Sequence, residues 1–433
     1  MDKKKVLLIS YDFPPIGGGG VQRNIKFMKY LSSFGWDTSV LTIDERDYYV
    51  YDYSFLEELK DTKIYKSTSM DPISVVFRLK NFFREKNNSN ETVVKTETNE
   101  GAWYVSLYRF IRNWFLIPDG QAGWIPFAYR KGKEAFRENK PDVLMATFPI
   151  PSNAFVTYKL AKKFNIPYII DFRDGWLDDP YNSFPSFFHK MYHSHHEKRI
   201  VLNASYVVCY DESLKKLLVE KYPSLLNKIE VIRNGFDPAD FLNLKNVEKP
   251  ADKIRIVYSG SVYIDRRETF KNFIEGLKKV DNQLLGKLEI VFVGDKLPWI
   301  QELVSQSNLD SVISFLGYFP HQEALNYLTT ADAFMIFLKP GDFVALTGKV
   351  FEYLFFKKPI IACVEPEGAC SMLLQSLNLQ DGVCNPSDPN AIASTIINLI
   401  DGKLKCADDL NIDKFSRLKQ AEQLDAILKN VIN

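Results

Sequence analysis

The sequence predicts an α/β protein made of two parallel-sheet units in tandem. Three observations carry that prediction. Short continuous apolar runs alternate with stretches of helical spacing, a glycine loop follows the first run of each half, and 433 residues suit two to three domains. The apolar share of 46% and the charged share of 25% are those of a globular chain. They exclude collagen-like, disordered and coiled-coil classes. With 55 basic against 54 acidic residues the net charge is +1, so no nucleic acid is expected as a partner.

Each element follows from local pattern. KVLLISYD (5–12) is an apolar run ending in a carboxylate, as a buried parallel strand reads. Gly17 to Gly20 come next. Ile25, Met28 and Leu31 then recur at helical spacing up to Gly35, a natural stop. DTSVLTI (37–43) is the second strand, and the β-loop-α-β opening implies right-handed crossovers in a parallel sheet. DVLMATFP (142–149), PYIIDFRD (167–174), SYVVCYD (205–211) and IEVIRNGF (229–236) continue the series. KIRIVYSGS (253–261) starts a second one, followed by runs at 288–295, 312–318, 331–338 and 358–365. The join lies in the polar, proline-bearing stretch from Asn234 to Lys253.

Residues 75–137 break the alternation. They hold 13 aromatic, 11 basic and 6 acidic residues. Within them 87–101 is polar and reads as a mobile loop, between two stretches of helical spacing. Such a segment either lies against a membrane surface or packs as a helical hairpin. Full burial of the aromatics would exclude the first. No run reaches the ~18 apolar residues that a spanning helix needs, and the first residues lack a signal-peptide core. Five cysteines without a Cys-x-x-Cys pair read as reduced, buried thiols. The expected setting is the cytoplasm.

Five constellations carry the candidate chemistry. Gly17 to Gly20 between strand and helix would let a phosphate approach the backbone; their spacing is not that of a nicotinamide-cofactor loop. DFRDGW (171–176), at a strand's C-terminal end, offers Asp171, Arg173, Asp174 and Trp176 where open sheets place ligands. Alternatively it is an ion-pair knot. YSGS opens the second half with Gly260, and Arg266 and Arg267 follow, suited to a diphosphate. In LTGKVFEYLFFKKPII (346–361), Thr347 can cap a helix, Gly348 allows close approach and Lys349 asks for an anionic partner. Glu352 can accept from two hydroxyls. Last, His189, His193 and His196 share one helix face with His195 between. That face could bind zinc, but a solvated, pH-sensitive face suits it better, and Glu197 would face a cleft or pair with Lys198 or Arg199.

Taken together these residues resemble the retaining GT-B glycosyltransferases, over nearly the whole chain. The resemblance rests on GGGGVQR, NGFDPADF, YSGS and, most specifically, GKVFEYLFFKKPII; IPDGQAGWIPFA (117–128) and PYIIDFRDGW look like a bacterial subgroup building surface polysaccharides. It implies two Rossmann-like domains facing across a cleft: 1–240 for the acceptor, 241–412 for the nucleotide-sugar, and a C-terminal helix, 413–433, crossing back. By it, Gly18, Gly19, Gly20, Gly260, Arg266, Arg267, Thr347, Gly348, Lys349 and Glu352 bind the donor, with Glu352 on the ribose. Arg173, Asp174, Arg266 and Lys349 serve catalysis, and Asp171, Arg173 and Trp176 lie on the acceptor side. The donor is a nucleotide diphosphate-sugar and the acceptor a glycan or lipid-linked glycan; a peripheral contact with the inner membrane is one of the two readings of 75–137. The reaction is of hexosyltransferase type by front-face attack, with no tightly bound cofactor and no metal required. Two departures stand out. Arg173 and Asp174 occupy the region of a frequent family histidine, and Val344 replaces a frequent family glutamate, with Asp342 the nearest carboxylate. A sugar-nucleotide epimerase and a catalytically idle scaffold of a polysaccharide-assembly complex are the alternatives.

Overall fold

The computed structural model describes residues 3–17, 19–44, 51–70, 110, 113–177, 184–245, 247–250, 252–404, 406 and 410–433. The chain divides into two units, Met1–Arg233 with Leu418–Asn433, and Asn234–Arg417.

In the first unit, seven parallel strands are β1 (Lys5–Ile9), β2 (Asp37–Ile43), β3 (Lys63–Ser67), β4 (Val143–Thr147), β5 (Tyr168–Phe172), β6 (Tyr206–Cys209) and β7 (Ile229–Val231). Their order is β3-β2-β1-β4-β5-β6-β7. Leu8 pairs in register with both Val40 and Met145, so β1 is central and buried on both faces, as its unbroken apolar run requires. The order reverses between β1 and β4, the position where such sheets bind ligands. Asn153 ties that point together. Its Oδ1 accepts from the Tyr11 N–H at 2.9 Å and its Nδ2 donates to the Thr147 carbonyl at 2.9 Å. The helix Gly19–Ser33 follows β1, and Gly35 turns the chain at φ +91°, which a side chain would resist. The helix Pro151–Phe164 follows β4. Asp119 secures its start, accepting from the Ser152 N–H and hydroxyl, each at 2.6 Å.

The second unit repeats the plan with β8 (Ile254–Ser259), β9 (Leu288–Val293), β10 (Ile313–Phe315), β11 (Ala333–Phe337), β12 (Ile360–Cys363) and β13 (Val383–Cys384). Here the order is β10-β9-β8-β11-β12-β13, reversing between β8 and β11. Phe270, Phe273, Phe292 and Phe337 fill one side of the sheet; Phe334, Phe351 and Tyr353 fill the other.

The unit boundary falls after Arg233 rather than after residue 240. Phe236 donates its N–H to the Phe415 carbonyl and accepts from the Arg417 N–H, and Phe241 stacks on Phe355 at 3.8 Å between ring centres. These contacts bind the turn after Arg233 to the second unit. The last helix, Arg417–Ile432, begins at 417 rather than 413. In the first unit, Trp36 Nε1 donates to Asp425 Oδ1 at 2.7 Å. None of the five cysteines forms a disulfide, and Cys406 alone is not buried. Among the described residues, no helix is long and apolar enough to cross a membrane.

Candidate functional site

The second unit brings its predicted residues together at the end of β8. Tyr258, fully buried, directs its hydroxyl to the Ser261 carbonyl at 3.2 Å. Lys349 Nζ donates to the Tyr258 hydroxyl oxygen at 3.1 Å and Arg266 Nη1 to the same atom at 3.3 Å. The ammonium also stands 4.6 Å over the Tyr258 ring. Burial works to raise the Tyr258 phenol, but Lys349 and Arg266 outweigh it and hold it below the ordinary tyrosine range. Two cations thus converge on one neutral oxygen, a poor counter-charge for either.

Gly260 makes the arrangement possible. Its φ of +98° suits glycine alone, and a Cβ there would lie 2.8 Å from Lys349 Cε. The Gly260 carbonyl is in turn packed on Gly294, where a Cβ would meet it at 2.3 Å. The Tyr353 hydroxyl accepts from the Ser259 N–H at 2.9 Å and fixes the strand end.

Glu352 lies one turn beyond Lys349 on the helix Lys349–Phe355. Its Oε1 is 3.1 Å from His321 Nε2, and both side chains are largely buried. The other predicted donor residues are placed differently. Thr347 does not cap the helix: Gly348 holds the N-cap position without any side-chain hydrogen bond, because the chain enters already in helical conformation. Open space surrounds Gly348 on its Cβ side. Arg267 is exposed and lies 5.4 Å over the Trp299 ring, so Arg266 alone of the pair turns inward. Asp342 Oδ1 accepts from the N–H groups of Val344 and Ala345 at 3.3 and 2.9 Å, which makes it a turn former for this loop.

In the first unit the motif 171–176 separates into distinct roles. Asp171 is fully buried, and Arg23 grips both its oxygens at 2.9 and 2.8 Å while reaching the Arg233 carbonyl at 2.9 Å. The knot forms, but with Arg23 in place of Arg173, and Asp171 is closed to an acceptor. Trp176 is also buried, in contact with Phe148 and Phe155. Its indole N–H donates to His193 Nδ1 at 3.0 Å, so its predicted place beside an acceptor gives way to a core role. Arg173 donates through Nε to the Phe148 carbonyl at 2.7 Å. Its terminal nitrogens lie beside Gly20, 3.8 and 3.9 Å from where a Cβ would sit. Burial lowers this guanidinium from its usual range, against the pull of Asp171 and Asp174. Asp174 is exposed. Gly19 opens the helix, and Gly18 lies outside the described residues, as does all of 75–109, the expected loop at 87–101 included.

The histidine face is buried at His189 and His193, half-buried at His196 and exposed at His195, and it is not arranged for zinc. His189 bridges the Ser186 hydroxyl (2.7 Å) and the Trp114 carbonyl (3.2 Å). His193 is buried and drawn down to about 4, by burial first and then by His189 and His196. Glu197 has no exposure and pairs with Lys221 at 2.6 Å, not with Lys198 or Arg199. It also accepts from the Tyr222 hydroxyl and the Leu177 N–H, each at 2.9 Å. Sequence reasoning missed Tyr258 and His321. A tyrosine at a strand end and a histidine after a proline carry no spacing signal.

The fold is the two-unit α/β arrangement of the GT-B glycosyltransferases. Residues 75–240 match the family Glycosyltransferase Family 4, and residues 253–402 match Glycosyl transferases group 1. Together these spans take in well over half of the chain, which belongs to this glycosyltransferase group. The fold is similar to that of a sucrose-phosphate synthase from Thermosynechococcus elongatus (15% identity, 99% of each chain covered, TM-score 0.62). It is also similar to Anabaena HepE in complex with UDP and glucose (14% identity, 99% of this chain and 100% of that one, TM-score 0.61). A third likeness is to the lipopolysaccharide outer core galactosyltransferase WaaB (13% identity, 98% and 99%, TM-score 0.58). No curated protein matches the chain in sequence.

Proposed function

We propose that this protein transfers a sugar from a nucleotide diphosphate-sugar to a glycan or lipid-linked glycan acceptor, with retention at the anomeric carbon, in building a bacterial surface polysaccharide. The observation that carries the reading is the pair of cations, Lys349 and Arg266, meeting at one neutral oxygen beside Gly260. Such a pair is under-neutralised and suits a diphosphate. Glu352, steadied by His321, is the acceptor for ribose hydroxyls. HepE, of similar fold, holds UDP and glucose, and WaaB acts on lipopolysaccharide; both bear on the choice of donor and product.

In this reading the anomeric carbon–oxygen bond to the diphosphate breaks as the bond to the acceptor oxygen forms on the same face. The acceptor's proton passes to the departing phosphate oxygen. Lys349 and Arg266 meet the charge that develops there. No tightly bound cofactor enters the reading, and it assigns the neutralisation to protein cations rather than to a metal.

The test is thermal unfolding with UDP, GDP, ADP, CMP and NAD, each with and without magnesium. A ligand at about 100 times its dissociation constant stabilises by roughly 2.7 kcal/mol. Stabilisation by one nucleoside diphosphate, lost in Glu352→Ala, is the expected result. No shift with any of them would favour the idle scaffold, the second reading, to which Val344 in place of a carboxylate lends support. A sugar-nucleotide turned over without an acceptor would favour an epimerase.

The acceptor side also bears on a membrane contact. Phe110 (51% exposed), Trp114 (42%) and Phe115 (70%) stand out from the surface beside Phe187 (75%) and Phe188 (72%), joined through the edge-on contact of Trp114 with His189. Trp124 and Phe136 of the same segment are buried. Exposed aromatics of this kind suit a lipid headgroup layer. Sedimentation with anionic vesicles, lost in a Phe187→Ser, Phe188→Ser double variant, is the expected result. Equal sedimentation of both proteins would remove this contact from the reading.

A further inference from the structure

The reading above gives Lys349 and Arg266 a ligand but leaves open what places them before it arrives. Four groups face the Tyr258 ring and hydroxyl: Lys349 from the helix Lys349–Phe355, Arg266 from the turn Ile264–Arg266, Tyr353 and Tyr263. Asp265 acts on Arg266 and on Tyr263, and Asp295 on Tyr263. The ring itself is held between Phe292 and Phe337, each with its centre 5.4 Å away. The hydroxyl is therefore fixed by packing, and the two flexible cationic side chains are the parts that come to it.

We propose that Tyr258 is a positioning residue for the donor diphosphate: its hydroxyl gathers Lys349 and Arg266 onto one point at the end of β8 and yields them to the diphosphate when the donor binds. This rests on the donor reading given above. Without the hydroxyl, a lysine and an arginine crowded together repel, and their long side chains regain rotamers that the ligand must then freeze out. With it, the cations are pre-placed at a spacing one oxygen can span. The phenol donates its proton to the Ser261 carbonyl, so it meets both cations as a neutral oxygen. At higher pH the cations favour its ionisation. A phenolate then competes with the diphosphate for the same two partners.

The experiment is calorimetric titration of UDP and of GDP into the wild type and Tyr258→Phe between pH 7 and 10. It is paired with absorbance titration of tyrosinate in the wild type, with and without the nucleotide that binds. Expected at pH 7 is an affinity about tenfold weaker in Tyr258→Phe, the cost of ordering two long side chains that the hydroxyl no longer holds in place. Wild-type affinity should fall as pH rises toward 10, and that fall should be shallower in the variant. In the wild type, nucleotide should move one tyrosine's ionisation to higher pH, by linkage. A purely structural tyrosine would change affinity without moving the pH profile. The inference is overturned if wild type and variant bind alike at every pH, or if nucleotide leaves tyrosine ionisation unmoved. Failure of the wild type to bind either nucleotide overturns the donor reading and this inference with it. Unliganded melting of Tyr258→Phe keeps the comparison sound, and Lys349→Met is the second variant. It keeps Tyr258 and should return that tyrosine's ionisation toward its ordinary range.

Discussion

The same strand order is used twice in this chain, and its two switch points are furnished in opposite ways. In the first unit most of the charged side chains at the sheet are closed on one another, Arg173 on the neutral Phe148 carbonyl being the exception. Arg23 grips both oxygens of Asp171, Trp176 donates to His193, and Glu197 is bound by Lys221, Tyr222 and Leu177. Between β8 and β11 the charges are left open. Lys349 and Arg266 share a phenol, and Glu352 meets a histidine. A buried carboxylate matched by a bidentate guanidinium has spent its charge on the fold. Lys349, whose hydrogen bond goes to a neutral hydroxyl, still has most of its charge to offer a ligand. Charge satisfaction, more than position on the sheet, separates the structural knot from the binding site here.

The sharpest way to break the comparison is Asp171→Asn. Arg23 would keep its buried place with no counter-charge, and removing one partner of a buried pair costs about 3–5 kcal/mol. Denaturant unfolding should show that loss, while UDP affinity of the folded fraction stays at the wild-type level. Unchanged stability with lost transfer would make Asp171 a functional residue after all.

A second prediction concerns pH. His193 is about 4 when folded, against an ordinary 6.5. The unfolded chain therefore binds a proton that the native one refuses. Stability is fully present above about 6.5 and is lost as pH falls from there toward 4, by up to about 3 kcal/mol. His193→Gln should flatten that fall between pH 7 and 5, while its side-chain carbonyl can still accept from the Trp176 indole. An unchanged slope would locate the pH sensitivity elsewhere.

How far the sequence went follows the same division. Alternating apolar runs located eleven of the strands, because a buried parallel strand must be apolar on both faces. Two edge strands escaped: β3 carries Lys63 and Lys66, and β13 is two residues long. The cluster of Gly260, Arg266, Lys349 and Glu352 was legible, because glycine loops and cations at strand ends are unusual without an anion to meet. The knot was legible as a possibility but not in its pairing, since Arg23 and Asp171 are 148 positions apart. Tyr258 was invisible for a related reason. A tyrosine in a strand reads as core, and only the arrival of Lys349 from 91 residues away gives its hydroxyl a task.

The smallest expected effect separates two neighbours that the sequence could not tell apart. Arg266 is aimed at Tyr258, whereas Arg267 is exposed and lies over Trp299. An exposed cation–aromatic pair is worth about 0.5–1 kcal/mol to stability and nothing to a ligand that it does not face. Arg267→Ala should therefore lower the melting temperature slightly and change UDP affinity less than about twofold. Arg266→Ala should weaken UDP by about tenfold or more, the loss of one charge-assisted contact. The reversed order would mean that the loop after Gly260 turns over when the donor binds, bringing Arg267 inward, and that the open charges of the second unit include one more than the unliganded structure presents.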